Sequence, residues 1–529
     1  MDKNRDIPDI CIIGAGPAGG IMAYELASRG VKVVVLEAGP RHNPQTRFSY
    51  MEEYMFKGKY PWASDNPERD VYTNAGEIKY PLEYSKVKAV GGSTLHWGGR
   101  VPRLHQTDFK MKSLYGLADD WPITYEELEP YYGKAEVALG VAGIADNPFA
   151  SYRSTDYPLP PFPFSYGDKV MKKGCDKLGI VMHHVPWARN SIPYHDRPAC
   201  QAFSTCGSHQ ICPIFAQYTA EVHIRLSEVT GNAEVIPNSN VLRINVDKSR
   251  RVISATYAKP DKTEYEQKAR AFILAAHAVE SARLLLLSES SQFPDGLANS
   301  SGMVGKNFME HPTIVVTGKL KERVFPHRIG FGTAESHQFC VSKKRNEIGA
   351  FKIEFQNDGG LTPLEIALSS GNWGSTLKEE IQESFGRQVL MSAILEQPPD
   401  EKNSISLDPF VRDYFRNPAP RITYSIRNYE KEAAKRAVEI MEKIFDALEA
   451  TEIISGNQIN AGTSHHMGTC RMGDDPKSSV VKRNLRAHDV ENLFIVGSSV
   501  FVTGGAANPS LTIAALAIRA AEYILKGVR

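Results

Sequence analysis

The chain has 529 residues, of which 42% are hydrophobic and 23% charged, with 62 Lys+Arg against 61 Asp+Glu. That length exceeds a single hydrophobic core and argues for two intertwined domains. The balanced charge excludes the basic field of a nucleic-acid binder or of a protein held on an anionic membrane surface, and no apolar run reaches the roughly 18 residues of a membrane span. Asp2 and Asp6 precede the first apolar stretch, so no cleaved signal peptide is expected. This leaves a cytoplasmic location, or a periplasmic one reached by co-export with a partner that carries the signal.

The first pattern is the strongest. A β-branched run, Ile10-Cys-Ile-Ile13, enters Gly14-Ala-Gly16-Pro-Ala-Gly19, a helical stretch follows through Leu26, and a second apolar run ends in Glu37. Gly14 permits a tight turn, Gly16 lets backbone approach a pyrophosphate, and Gly19 lets the helix pack on the strand. The helix N-terminus offers free N–H groups to phosphate. Glu37 follows Gly14 by 23 residues, where a carboxylate accepts from ribose hydroxyls. Strand, glycines, helix and acid in register predict a Rossmann-like dinucleotide site.

Residues 40–88, including Arg47-Phe-Ser-Tyr50-Met-Glu-Glu-Tyr54, read as short helix and loop over the cofactor. Val90-Gly91-Gly92-Ser93-Thr94-Leu95-His96-Trp97-Gly98-Gly99 lets backbone pass close to a flat ligand. Thr124 is a helix N-cap with Glu127 completing a capping box. A proline-rich stretch at 157–164 marks a boundary. Strands are expected over 233–238, 241–246, 251–257 and 271–275, the last entering a helix over 277–287. Alternation at 405–407 and 421–426 predicts antiparallel strands in a second domain between 313 and 427. Residues 429–450 form an amphipathic helix with Ala434, Val438, Met441, Phe445 and Leu448 on its buried face. A strand at 492–497 and a closing helix from Leu511 end the chain.

Seven cysteines, an odd number with four of them scattered, do not make a disulfide framework. Cys200, Cys206 and Cys212 crowd together with Pro213 after the last. Three thiolates at that spacing suit a metal or iron–sulfur site. Buried free thiols, a disulfide, or zinc with His209 as fourth ligand are the other readings.

These blocks together with His465-His466-Met467-Gly468-Thr469, Leu274-Ala-Ala-His277, Glu310-His311-Pro312 and Gly504-Gly505-Ala-Ala-Asn508-Pro509 resemble the glucose–methanol–choline flavoprotein oxidoreductases over nearly the whole chain. The resemblance implies an α/β fold: an FAD-binding Rossmann-like domain from segments 1–45, 80–145, 225–312 and 460–529, and an antiparallel-sheet substrate domain. The latter, with cofactor-covering segments, takes 46–79, 146–224 and 313–459 and includes the cysteine block at 200–213. It implies FAD held by Gly14, Gly16, Gly19, Glu37, Gly92, Ser93, His96, Trp97, Val241, Gly497, Asn508 and Pro509. The base that takes the hydroxyl proton is then His465 in His-x-x-Gly-Thr. His466 beside it is the competing candidate, but neighbours in extended chain point opposite ways. A neutral imidazole, with an ordinary pKa of about 6.5, suits the task. Asn508 is the second active-site residue, able to hydrogen-bond a substrate oxygen, or simply a helix cap. Pro509 opens the last helix. His96 stands where some relatives attach the flavin covalently; the alternative is packing against the ring.

Within that family the His96-Trp97 pair and Cys200, Cys206 and Cys212 resemble the sugar and polyol dehydrogenase branch, of the fructose, gluconate, glucose and glucoside 3-dehydrogenase kind, with pyranose oxidase a cousin. The implied reaction oxidises a sugar or glycoside secondary hydroxyl to a ketone, with C3 the preferred carbon. Electrons would pass through an Fe–S cluster to a cytochrome-type acceptor, with a small partner subunit. The second cysteine gap is longer than usual in that branch, which leaves cluster type open. A self-contained oxidase reducing O₂ is the alternative. Glu335-Ser-His-Gln338 and Asn357-Asp-Gly-Gly360 are polar enough to meet a hydroxyl-rich ligand, or to be solvated loops.

Overall fold

The computed structural model describes residues 7–43, 49, 52, 67–203, 206, 211–326, 329–357 and 360–528. The expected acidic N-terminus, all of 47–54 but Ser49 and Glu52, His209, Asp358 and Gly359 lie outside the described residues.

Two sheets organise these residues. A five-stranded parallel sheet has the order Leu493–Ile495, Ala271–Leu274, Ile10–Ile13, Val33–Leu36, Ala233–Ile236. Its strands are short and apolar because they are buried, with helix Pro17–Ala27 packed on them. Helix Pro17–Ala27 packs against Glu221–Val229 and the final helix Ser510–Val528, and a large core centres there. The first strand lies centrally, paired with Ala271–Leu274 on one side and Val33–Leu36 on the other, so segments from both chain termini meet at its C-terminal end.

A six-stranded antiparallel sheet runs Thr451–Ser455, Thr313–Lys319, Gln388–Leu395, Phe351–Gln356, Ala334–Ser336, His183–His184. Helix Asn428–Ala447 covers one face through Ala433, Ala434, Ala437, Met441, Ile444 and Phe445, and Val438 and Leu448 pack at the margin of that core. The other face turns toward the parallel sheet. Strands Ser404–Arg412 and Pro418–Thr423 pair antiparallel as expected, but in a separate small sheet with Thr73–Asn74. Thr124 caps Tyr125–Leu139 and accepts from the Glu127 N–H at 3.2 Å, while Glu127 returns the bond to Thr124.

Candidate active site

A cavity of about 880 Å³ opens between the two sheets. Its wall carries Gly14, Gly16, Glu37, Gly92, Ser93, His96, Trp97, Val241, His465, Gly497, Asn508 and Pro509, residues spread over the whole sequence. Gly19 is the one expected cofactor residue not on that wall. A Cβ there would come within 1.9 Å of the Gly14 carbonyl oxygen, so its role is to let helix meet strand.

The glycine turn has the geometry that a phosphate needs. Gly14 sits at φ +105°, where only glycine is unstrained. Gly16 is the N-cap of the first helix, and a Cβ built on it meets nothing within 4 Å, so its backbone is open to the cavity. Glu37 accepts from Ala15 N–H and Gly39 N–H, both at 2.9 Å. Burial nevertheless pushes its carboxyl up to about 7, and it still reaches the cavity wall. Opposite, Gly92–His96 forms a short 3₁₀ turn whose Gly92 would touch the Gly16 Cα through a Cβ at 3.0 Å. His96 is buried, and desolvation drops its pKa to about 4, so the ring is neutral. Trp97 is fixed by donating its indole N–H to the Tyr218 carbonyl at 2.8 Å. Free helix N–H groups, an open glycine backbone and a neutral ring-facing imidazole fit a dinucleotide flavin.

Deeper in the cavity the histidines are wired in sequence. His311 Nε2 lies 2.9 Å from the Gly505 carbonyl oxygen, which can only accept, so Nε2 carries the proton. In the neutral ring, Nδ1 is then an acceptor. It lies 2.9 Å from His465 Nδ1, which must therefore donate. That leaves His465 Nε2 as the acceptor of the ring, on the cavity wall. Asn508 Nδ2 approaches it at 3.1 Å, and the amide's orientation is fixed from its other end, because Asn508 Oδ1 accepts from Lys352 Nζ at 2.7 Å. Burial, with His311 and the Lys352 charge adding to it, holds His465 well below the ordinary histidine value. The ring is thus a neutral base with one tautomer.

Glu310 positions this segment. Its carboxylate accepts from His465 N–H and His311 N–H at 2.8 Å each, and from the Thr463 and Tyr80 hydroxyls. His466 also lies on the cavity wall but has other partners: it bonds Tyr80 at 2.7 Å and His277 at 2.8 Å and is buried. The neighbours do point to different partners.

The cavity's far wall is the inner face of the antiparallel sheet. Arg100 pairs with Glu354 at 3.0 Å and donates to Gln356 at 2.9 Å, and Gln356 donates to Ser392 at 2.9 Å. These polar side chains escaped the sequence reading. Their signal was the alternation Phe351-Lys352-Ile353-Glu354-Phe355-Gln356 in a strand buried on both faces. Glu335, His337 and Asn357, by contrast, are not on the cavity wall. All three are buried, and Asn357 is bonded to Ser165 at 2.8 Å behind it.

All seven cysteines are free. Arg189 Nη1 lies 3.6 Å from Cys200 Sγ and 3.5 Å from Cys206 Sγ, and Cys212 Sγ accepts from Gln217 N–H at 3.4 Å. Cys206 reaches the cavity wall beside Trp97 and Trp187. Burial pushes its thiol up, while the Arg189 charge pulls against that.

Two family models described as GMC oxidoreductase match residues 85–313 and 399–517, and one described as FAD binding domain matches 8–57. The chain is 32% identical to the fructose dehydrogenase large subunit of Gluconobacter japonicus, over 98% of both chains. It is 30% identical to the 2-methyl-1,2-propanediol dehydrogenase of Mycolicibacterium austroafricanum, over 99% of this chain and 96% of the other. The gluconate 2-dehydrogenase flavoprotein of Pantoea cypripedii is 26% identical over 98% and 93%. Among solved structures, a formate oxidase variant of Aspergillus oryzae superposes with a TM-score of 0.69 at 15% identity, covering 100% of both chains.

Proposed function

From the premise that this chain belongs to the GMC oxidoreductases, a flavin-binding family of alcohol-oxidising enzymes, we propose that it is an FAD-dependent dehydrogenase of sugar, glycoside or polyol hydroxyls. The observation that carries the reading is the fixed tautomer of His465, with its Nε2 lone pair beside Asn508 on a cavity wall that also holds the dinucleotide glycines.

FAD, when bound, supplies the hydride acceptor. The chain's own residues do the rest. Gly14 and Gly16 with the first helix N-terminus would hold the pyrophosphate, and Glu37 and Val241 border the nucleoside end. His465 takes the substrate hydroxyl proton at Nε2 as the C–H bond breaks. Asn508 Nδ2 donates to the same oxygen and keeps it aimed. Arg100, Glu354, Gln356 and Ser392 offer donors and acceptors to the remaining hydroxyls, which is why a polyhydroxylated substrate suits this cavity better than an aliphatic alcohol. Ketone formation at a ring carbon such as C3 is the form of the reaction we favour.

The parallel-sheet segments are assigned to cofactor binding and the antiparallel sheet to substrate. Cys200, Cys206 and Cys212 are assigned as thiolate ligands of an Fe–S cluster, which would supply a one-electron exit from the cavity toward a cytochrome-type acceptor. The support is that Cys200 and Cys206 both meet the Arg189 guanidinium, with Cys206 at the cavity wall. Two of the named relatives are a large subunit and a flavoprotein component, which supports a small partner subunit here as well. The test is the visible spectrum and iron content of purified protein, before and after anaerobic addition of a panel of sugars, glycosides and polyols. Flavin bleaching by members of that panel, with iron present, is expected. A colourless protein that takes up no FAD overturns the reading. Rapid peroxide formation in an oxygen electrode with no iron reassigns it as an oxidase.

A further inference from the structure

Behind the substrate wall, the same face of the antiparallel sheet ends in an unexplained cluster. Cross-strand pairing places His183 opposite Glu335, Glu335 opposite Glu354, and Glu354 opposite Ser392. This row runs from the cavity at Ser392 and Glu354 into the interior at Glu335 and His183. His337 follows two residues after Glu335, and His105 covers the end of the row, its ring centroid 5.3 Å from that of His337. The ring centroids of His183 and His337 are 4.7 Å apart.

Three imidazoles, a carboxylate and the thiol of Cys340 therefore meet with relative exposures of 1% for His183, 3% for His337, 4% for His105, 0% for Glu335 and 2% for Cys340. In this dry place His183 Nε2 and His105 Nε2 lack a hydrogen-bond partner, and Glu335 Oε1 and His337 Nε2 face only each other. Buried polar atoms without a hydrogen bond are expensive, and their gathering in one spot needs a reason. The ligand atoms of His183, Glu335 and His337 all lie within 4.8 Å of one another, as do those of His105, His337 and Cys340. His337 Nε2 and Glu335 Oε1 are 3.1 Å apart. A tetrahedral zinc ion with bonds of about 2.1 Å spaces its donors by about 3.4 Å, so this pair is already close to ligand spacing.

We propose that His183, Glu335 and His337, with His105 or Cys340 completing the set, bind one divalent transition-metal ion of the zinc class at the buried end of this sheet face. The orientation of the ligands supports it. His183 Nδ1 faces the His184 carbonyl at 3.1 Å, so it carries the proton and Nε2 keeps its lone pair for the metal. An imidazole held by a carbonyl through its other nitrogen is the usual arrangement for a metal ligand. Two imidazoles and one carboxylate suit zinc, and also iron, copper or nickel, whereas magnesium and calcium prefer oxygen ligands alone.

Two side chains, Glu335 and Lys352, would link the ion to Asn508. The other oxygen of Glu335 pairs with Lys352 at 3.0 Å, and Lys352 holds the Asn508 amide. Metal binding at Oε1 would fix Glu335, and through it the lysine that orients Asn508. This step rests on the proposed role of Asn508; the metal site itself does not.

The test is elemental analysis of the FAD-loaded enzyme after exhaustive dialysis against metal-free buffer, together with substitution by Co²⁺, whose visible bands report tetrahedral nitrogen ligation. About one equivalent of zinc-class metal per chain is expected. It should be lost in His183→Gln and in His337→Gln, and retained in Cys206→Ser, which separates it from iron at the cysteine block. Thermal melting of the parent enzyme should fall on removal of the ion with a strong chelator under mild denaturant, and recover on adding ZnCl₂. If the histidine variants do not fold, the cobalt spectrum and the melting shift of the parent enzyme decide. Less than a tenth of an equivalent of any transition metal, with no cobalt spectrum and no melting shift on adding Zn²⁺, overturns the site. So does metal retained at full stoichiometry by both histidine variants.

Discussion

At the scale of single residues, the arrangement turns on which nitrogen of His465 holds a proton. The Gly505 carbonyl decides it from two bonds away, through His311. His465 is neutral above its depressed pKa, and the base form is lost only as pH falls through that value. The acid limb of kcat/KM is therefore expected well below the ordinary imidazole value of about 6.5, read from a pH–rate profile. His465→Ala should lower kcat by about 10²- to 10⁴-fold with the flavin still bound, measured by steady-state kinetics on FAD-quantified enzyme. At His96 the buried neutral ring on the cavity wall leads us to expect covalent attachment: acid-precipitated protein should keep its yellow colour in the pellet, and the His96→Ala protein should release it to the supernatant.

At the scale of elements, Glu310 ties the loop bearing His465 to the start of strand Thr313–Lys319. Glu310→Ala strands two buried N–H groups, which costs about 1–3 kcal/mol for each. Lower thermal stability and a kcat reduced at least about tenfold, with FAD content unchanged, are the expected readouts. Glu310→Gln keeps an acceptor oxygen and should recover most of both. Elements whose demands are local could be read from the chain: the glycine turn, the Thr124–Glu127 cap, and the stripe from Ala434 to Phe445. The partners of Glu354 could not, because Arg100 precedes it by about 250 positions and only sheet register and chain crossing bring them together. Glu335 and His337 were visible as polar residues, but polarity says nothing about which part of a sheet face is wet. Here that face is dry at one end and lines the cavity at the other.

At the scale of the whole molecule, the fold stores many uncharged histidines. Burial holds His223 at about 3 and His277 and His311 at about 4. Each is easier to protonate in the unfolded chain, near 6.5, so the stability they contribute is complete above about pH 6.5 and is lost as pH falls toward those folded values. One pKa unit corresponds to about 1.4 kcal/mol. The melting temperature should therefore drop steeply between about pH 6.5 and 4, and His223→Phe should flatten that drop; a scan of melting temperature against pH checks both. The class of fold was legible because its first 37 residues carry a complete local motif. The wiring of the active site was not, because it depends on contacts such as His311 with His465, separated by 154 positions.

The order of the parallel sheet has an effect on biosynthesis. Ala271–Leu274 is sandwiched between Ile10–Ile13 and Leu493–Ile495. A nascent chain thus makes its phosphate turn long before it gains the last neighbour of that sheet and the helix beginning at Ser510. The cofactor cleft is complete only once Gly497, Asn508 and Pro509 have joined its wall.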